Sequence, residues 1–161
     1  MAAIKNGQDY KHVEVEEGYP VIGSGGPFTH ASEYMYDKES VLLGRKGTID
    51  KPQYMETPFW TVDTLFYTVI KDGNNPKFLF YRLCLIDWKL YNEASGVPSL
   101  NARTIENIEI STPAFEEQVE ISRIINSLDE DIKAHEAKLA KIRNIKQGMM
   151  QELLTGRVRL V

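Results

Sequence analysis

Up to about residue 110, short apolar runs alternate with clusters of glycine, proline and polar residues. Residues 19–28 and 40–49 each begin with a β-like apolar run and continue into a glycine-containing loop. The segment 59–70 is rich in aromatic and β-branched residues, which favours one or two further strands. Residues 77–92 have the spacing of a short helix, and 93–112 predict a loop, one helical turn and a strand. The pattern therefore predicts a globular domain of mixed β-sheet and short helices.

From Thr112 the apolar residues recur in alternating steps of four and three. Thr112 is a suitable N-cap, Pro113 is favoured at the first helical position, and Gly156 is a natural C-terminal stop. These signals predict one long helix over 113–155 and a short tail over 156–161. A heptad stripe of this kind is typical of a coiled coil. We call the stripe the seam, and it consists of Ile121, Ile125, Leu128, Ile132, His135, Leu139, Ile142, Lys146, Met149 and Leu153.

The predicted helix is longer than the domain that precedes it. Roughly 39 residues, at about 1.5 Å per residue, extend for about 58 Å. A compact domain of about 115 residues has a radius of gyration near 13 Å and is roughly 35 Å across. Because an apolar seam of this length exceeds its own domain, we expect it to pair with a second copy of the helix or with a homologous one.

Composition and charge narrow the classes of function. The 161 residues carry a net charge of −4, which argues against a protein that binds nucleic acid through a broad basic surface. No segment approaches the run of about eighteen apolar residues of a membrane span, and residues 1–10 lack a signal-peptide run. The single cysteine, Cys84, permits no internal disulfide and lies in an apolar run, so we expect a buried thiol in a cytoplasmic protein.

None of the motifs that would indicate an enzyme is complete. The glycines of 23–26 lack the G-x-G-x-x-G spacing of a dinucleotide site, and 44–49 lacks the GK[ST] ending of a P-loop. Asn75-Pro76-Lys77-Phe78 departs from the NPP[YF] loop of adenine methyltransferases at its third residue. The three histidines are far apart and show no metal-ligand spacing. The sequence therefore predicts a non-catalytic protein without a metal or cofactor of its own.

The order of several short motifs resembles the specificity subunit of type I restriction–modification enzymes. In chain order these motifs are YPVIGSGG, LLGRKGTI, FWTVDTLFY, SGVPSLN, PAFEEQVEISRIINSLDEDI and LLTGRVRL. Together they cover essentially the whole chain. The most specific of them contains the pattern P-x-x-x-E-Q-x-x-I, which falls on Pro113, Glu117, Gln118 and Ile121 and is followed by Leu128-Asp129.

The resemblance implies a division of labour between subunits. Specificity subunits of this kind carry two target-recognition domains, each followed by a long helix, and the two helices pair antiparallel as a spacer. Each recognition domain reads one half of a bipartite site in double-stranded DNA. Modification subunits, which hold the S-adenosylmethionine, dock on the specificity subunit, and restriction subunits join them.

This chain resembles half of such a subunit. The resemblance assigns DNA recognition to residues 1–112 and the spacer to the helix over 113–155. With one recognition domain and one helix, the chain is expected to form a homodimer through the helix and to recognise an inverted repeat. S-adenosylmethionine is expected only in the partner modification subunit.

DNA contacts are expected in the loops of the first domain. Glycine-rich turns bring backbone N–H groups close to phosphates, and neighbouring lysines and arginines add positive charge. Forked donors and acceptors on Arg, Asn and Gln suit base edges. The alternative at each position is structural, since glycines also serve as plain turn formers and loop cations are often only solvated. The candidates are Ser24, Gly25, Gly26, Lys38, Arg45, Lys46, Thr48, Lys51, Gln53, Asn74 and Asn75.

Two other classes of function fit parts of the sequence. One is an interaction module that does not bind DNA, such as an acidic mimic of DNA that uses the coiled coil. It agrees with the net charge, although the acids are interspersed with bases rather than massed in blocks. The other is a small nucleotide-binding enzyme, which the incomplete motifs argue against. The fold expected in every case is α+β, with a mixed sheet and short helices followed by one long coiled-coil helix.

Overall fold

A computed structural model describes residues 1–160, which form two compact units. The N-terminal unit, Met1–Val119, contains two four-stranded sheets, and the C-terminal unit begins at Glu120, inside one long helix. The predicted fold class, mixed sheets and short helices followed by a long helix, is confirmed. The strands are β1 (Ala2–Asn6), β2 (Glu14–Val15), β3 (Tyr19–Gly23), β4 (Gly26–Ala31), β5 (Ser40–Gly44), β6 (Gln53–Met55), β7 (Trp60–Thr61) and β8 (Leu65–Ile70). The helical segments are α1 (Pro76–Cys84), a 3-10 turn (Trp88–Tyr91), α2 (Ala102–Glu106) and α3 (Phe115–Leu154).

The first sheet has the strand order β1-β8-β5-β6, and all its neighbouring strands are antiparallel. β5 lies between β8 and β6 and is buried at every residue. Its side chains alternate between two clusters of the core. Val41 and Leu43 pack with Leu79 of α1, whereas Leu42 packs with Ile22 of the second sheet. Because both faces of β5 are covered, its sequence is a continuous apolar run rather than an alternating one.

The second sheet, in the order β2-β4-β3-β7, carries a tight hairpin. β3 and β4 pair as far as Gly23 and Gly26, so Ser24 and Gly25 alone form the connecting turn. Gly26 has a φ of +102°, which residues with a side chain rarely adopt. The glycine loop predicted over this segment is therefore a two-residue turn at the tip of a hairpin.

The helix predicted over 77–92 is wrong in its second half. α1 ends at Cys84, and a separate 3-10 turn covers Trp88–Tyr91. The carboxylate of Asp87 accepts a hydrogen bond from the Lys89 N–H and caps the second segment, which interrupts the helical pattern. Cys84 is exposed at the end of α1, so the expectation of a buried thiol is also wrong.

The start of α3 differs from the predicted start by two residues. The helix begins at Phe115, and Pro113 precedes it. Thr112 does not cap the helix, because its hydroxyl donates to the carbonyl of Ile110 at 2.9 Å. The strand predicted just before the helix is absent from the described residues, since the chain between α2 and α3 makes no strand pairing.

Gln118 fastens the first turn of α3 within the N-terminal unit. Its side chain is only 1% exposed. Its amide oxygen accepts the Asn75 N–H at 2.9 Å, and its amide nitrogen donates to the carbonyls of Pro113 and Gly73 at 3.0 and 3.4 Å. One buried amide thus satisfies three backbone groups from the helix start and from the turn before α1. This is a structural reason for the glutamine in the P-x-x-x-E-Q pattern.

Replacement of Gln118 by alanine is expected to destabilise the N-terminal unit. The change removes the side-chain partner of the Asn75 N–H and of the Gly73 and Pro113 carbonyls, which costs about 1–3 kcal/mol of unfolding free energy. Urea unfolding followed by the fluorescence of the buried Trp60 and Trp88 measures it. The matched control is Gln147→Ala, the same change at an exposed position of the same helix. Equal urea midpoints of unfolding for Gln118→Ala and Gln147→Ala would contradict this structural role of Gln118.

Candidate nucleic-acid interface

The register of the first sheet separates the candidate DNA contacts into two groups. Gly44 at the end of β5 pairs with Leu65 at the start of β8, and Ile70 at the end of β8 pairs with Ala2. The six residues of β8 extend for about 17 Å. We call the end of the sheet at Gly44 and Leu65 the glycine end, and the end at Ile70 the far end.

At the glycine end, a side-chain contact brings the β3–β4 hairpin to the start of β6. The amide nitrogen of Gln53 donates to the carbonyl of Gly23 at 2.9 Å. The turn residues Ser24 and Gly25 follow directly. A Cβ placed on Gly25 or Gly26 would meet no atom within 4 Å. The backbone of this turn is therefore open to a ligand, and Ser24, Gly25, Gly26 and Gln53 lie together.

The loop after β5 lies at the same end and has a fixed backbone. A Cβ on Gly44 would be 1.9 Å from the carbonyl oxygen of Thr48, so only glycine permits this fold-back. The Arg45 N–H donates to the carbonyl of Thr64 at 2.8 Å, and the Leu100 N–H donates to the carbonyl of Arg45 at 3.0 Å. Thr48 is half-buried in the loop, and the side chain of Lys51 beyond it is exposed.

The side chains of Arg45 and Lys46 differ in how firmly they are held. One guanidinium nitrogen of Arg45, Nη1, donates to the carbonyl of Asp63 at 3.2 Å, and its central carbon lies 6.0 Å from the centre of the Phe66 ring. Lys46 is exposed, and its ammonium makes no hydrogen bond or ion pair with the residues that the structure describes. The arginine is therefore oriented by the fold, whereas the lysine can reach toward a ligand.

Beside these two cations lies a polar groove of about 390 Å³. Its other polar side chains come from the end of β1 and from the segment before α2, far from Arg45 in the chain. No local sequence pattern links these segments, so the sequence did not predict them, although the SGVPSLN motif contains two of these residues. The polar lining of the groove is Asn6, Arg45, Lys46, Glu93, Ser99 and Asn101.

Three candidates lie at the far end instead. Lys38 precedes the start of β5, and Asn74 and Asn75 belong to the turn after β8. The Asn74 amide donates to the carbonyls of Lys71 and Asp72, and the Asn75 amide oxygen caps α1 by accepting the Phe78 N–H at 2.8 Å. These contacts engage the two asparagines in local structure, which favours turn and cap roles over base reading.

The seam of α3 presents its apolar side chains to solvent over most of its length. Leu128, Ile132, Leu139, Ile142 and Met149 are between 47% and 57% exposed, whereas Ile121, Ile125 and Leu153 are half-buried. The two polar seam residues, His135 and Lys146, are exposed, and Nδ1 of His135 lies 2.8 Å from the carbonyl oxygen of Asp131 in the same helix. Exposed side chains of this size in one stripe are typical of an interaction surface.

The apolar stripe widens near the end of α3. Ile145, Met150 and Leu154 lie beside the seam and are 52%, 48% and 78% exposed. Together with Ile142, Met149 and Leu153 they line an apolar surface groove. The heptad count missed these three residues because it follows a single line along the helix. Their signal in the sequence is the four-residue spacing of Ile145 with Met149 and of Met150 with Leu154.

Tyr54 and Glu39 form a polar pair outside the glycine end. Burial and a hydrogen bond to Glu39 raise the pKa of Tyr54, which keeps this phenol protonated beside the carboxylate. No group of three His, Cys, Asp or Glu side chains within residues 1–160 is placed to hold a metal ion. None of the helices in this range is long and apolar enough to cross a membrane.

Curated proteins with related sequences are specificity subunits. The chain is 25% identical over 112 residues to the type I restriction enzyme EcoprrI specificity subunit of Escherichia coli, a match that covers 69% of this chain and 28% of that protein. It is 32% identical over 118 residues to the MjaVIII specificity subunit of Methanocaldococcus jannaschii, which covers 71% of this chain and 25% of that protein. The matched region is thus about a quarter of the length of these relatives.

Solved structures of specificity subunits share the fold. The S subunit of a type I restriction–modification system from M. genitalium superposes with a TM-score of 0.71 at 14% identity, over 94% of this chain and 42% of that one. The specificity subunit from Thermoanaerobacter tengcongensis gives a TM-score of 0.64 at 16% identity, with the same two coverages. The family described as "Type I restriction modification DNA specificity domain" matches residues 2–144. This chain therefore belongs to the family of type I restriction–modification DNA specificity domains.

Proposed function

We propose that the chain reads one half of a bipartite DNA target and docks the modification subunits of a type I restriction–modification system in the cytoplasm. In this role it is non-catalytic and binds no cofactor, and S-adenosylmethionine is held by the modification subunit. The observation that carries the proposal is the glycine end. There the amide of Gln53 contacts a two-residue turn with open backbone, and the loop after β5 holds Arg45 and Lys46 on a fixed backbone.

The acidic net charge is compatible with this function because only a few phosphates need to be contacted. Three of the predicted DNA contacts at the glycine end are cations, namely Arg45, Lys46 and Lys51. A further cation, the ammonium of Lys89, lies 3.9 Å from the carboxylate of Asp50, which offsets its charge. Each phosphate contact changes the slope of log K against log salt by about −0.9. A shallow dependence on salt is therefore expected from this chain, and the partner subunits would supply the remaining attraction.

Two exposed lysines, Lys51 at the glycine end and Lys38 at the far end, test which end of the sheet faces the DNA. Lys51→Met should lower the magnitude of the salt slope by about one and weaken binding equally for all sequences, because Lys51 faces a phosphate. Lys38→Met is the matched control at the far end and should leave the slope unchanged. The measurement is fluorescence anisotropy of target duplexes with the complex of chain and modification subunits. A larger effect for Lys38 would contradict the proposed orientation.

The same proposal assigns α3 to self-association. Its seam residues from Leu128 to Met149 include five large apolar side chains that are about half exposed, and a helix of 40 residues provides a continuous surface of about 60 Å. A second copy of α3, antiparallel to the first, would cover this surface. The partner helix of a longer specificity subunit would do so equally, and the isolated chain tests the homodimer.

Charges placed in the seam should separate the two copies. The double variant Ile132→Asp and Ile142→Asp is expected to sediment as a monomer at micromolar concentration, since both side chains are exposed and have no role in the core of the N-terminal unit. Ala137→Asp is the control, because it introduces the same carboxylate on the outer face of the same helix. Near-ultraviolet circular dichroism checks that Trp60 and Trp88 remain packed. A monomeric wild-type chain would contradict the homodimer.

A symmetric dimer restricts the DNA target. Two-fold symmetry presents the same recognition surface twice, so the target must be an inverted repeat with a gap of unread base pairs. One heptad of about 10 Å, inserted after Ala137, should lengthen the preferred gap by about three base pairs, at roughly 3.4 Å per pair. The half-site should not change. Methylome sequencing of cells that carry the chain and its modification subunit gives both quantities. A target without two-fold symmetry, or a gap whose length does not change with the insertion, would contradict the spacer role.

A further inference from the structure

The polar groove at the glycine end has walls that are fixed before any ligand arrives. The loop that carries Arg45 and Lys46 is joined to the segment before α2 by two backbone hydrogen bonds. The Gly47 N–H donates to the carbonyl of Pro98 at 2.8 Å, and the Leu100 N–H donates to the carbonyl of Arg45 at 3.0 Å. Lys46 and Ser99 also form a β-bridge. The groove lining includes Phe66, which is 2% exposed. These contacts hold the backbone of the groove at defined positions.

Several polar groups in the groove have hydrogen-bonding capacity left within the described residues. The side chains of Asn6 and Lys46 make no hydrogen bond there, and Arg45 uses only Nη1. Asn101 uses its amide oxygen to accept the Arg103 N–H at 2.9 Å, which leaves its NH2 group. One carboxylate oxygen of Glu93 accepts from the Thr104 hydroxyl, which leaves the second oxygen. The groove therefore offers both donors and an acceptor to a ligand.

The mixture of charges decides what ligand fits. A phosphate has only acceptors and is anionic, so it would be attracted by Arg45 and Lys46 but repelled by Glu93. The edge of a base pair in the major groove presents both acceptors and amino donors. The acceptors of such an edge suit the cations and the amides, and its amino group suits the carboxylate. The groove is thus complementary to a base-pair edge and poorly suited to a phosphate.

We infer that the polar groove reads one base pair of the half-site, with Lys46 and Arg45 on its acceptor groups and Glu93 on its amino group. This inference rests on the proposed function. It makes Glu93 a specificity-determining residue, and it separates Lys46, which contacts a base, from Lys51, which contacts a phosphate. Asn6 and Asn101 add amide donors to the same groove.

The test is Glu93→Gln in the complex of the chain with its modification subunits. Glutamine keeps the size of the side chain and an oxygen for the Thr104 hydroxyl, so the fold is retained, and a thermal unfolding scan verifies this. Competition binding against duplexes with each half-site base pair replaced in turn gives the preference at every position. We expect the preference to change at one position by roughly 5- to 150-fold and to stay the same at the others. Lys46→Met should alter the same position.

A phosphate site would give a different result. Glu93→Gln would then strengthen binding to all duplexes equally, and Lys46→Met would weaken it equally and reduce the salt slope by about one. Either this uniform pattern or an unchanged profile in both variants overturns the inference. A wild-type complex without any sequence preference would instead refute the proposed function, so the two failures are distinguishable.

Discussion

β5 runs through the middle of the first sheet, and its pairing with β8 and β6 determines where each loop of the N-terminal unit emerges. Gly44 pairs with Leu65, and Leu42 pairs with both Tyr67 and Gln53. A shift of one residue would turn Val41 and Leu43 away from their cluster and turn Leu42 away from Ile22. Burial of these side chains therefore fixes the register, and the register places the loop after Gly44 beside the start of β6. The hydrophobic core thus positions the loops that carry the candidate DNA-binding groups.

The buried side chain of Gln118 constrains the start of α3 through hydrogen bonds, as the apolar core constrains the register of the sheet. By holding backbone groups of Gly73, Asn75 and Pro113, it fixes where α3 begins relative to the turn before α1. A buried amide with satisfied partners specifies one geometry, because a displaced helix start would leave these groups without hydrogen bonds. In the proposed function, the same helix carries the seam that defines the distance between two half-sites. A single side chain would then connect the packing of the recognition domain with the spacer.

The sequence predicted the elements better than their arrangement. The long helix, the strands around 40–44 and 59–70, and the two glycine segments follow from local patterns that each occupy a few residues. The grouping of loops depends instead on pairing between distant strands. The sequence therefore did not predict that Asn74 and Asn75 lie at the opposite end of the sheet from Arg45. For the same reason it did not predict that Asn6 and Asn101 line the same groove as Lys46. The predicted boundaries of the helices are wrong where one side chain interrupts the helical pattern. Asp87 does this between α1 and the 3-10 turn.

In the proposed function the glycine end of the first sheet, and not the far end, faces the DNA. Hydrogen–deuterium exchange of the complex between chain and modification subunits, with and without a target duplex, measures this directly. DNA is expected to slow exchange at the hairpin turn 23–26 and in the loop 45–51, and to leave the exchange rate of the turn 71–75 unchanged. Protection confined to 71–75, with 23–26 and 45–51 unchanged, would contradict it.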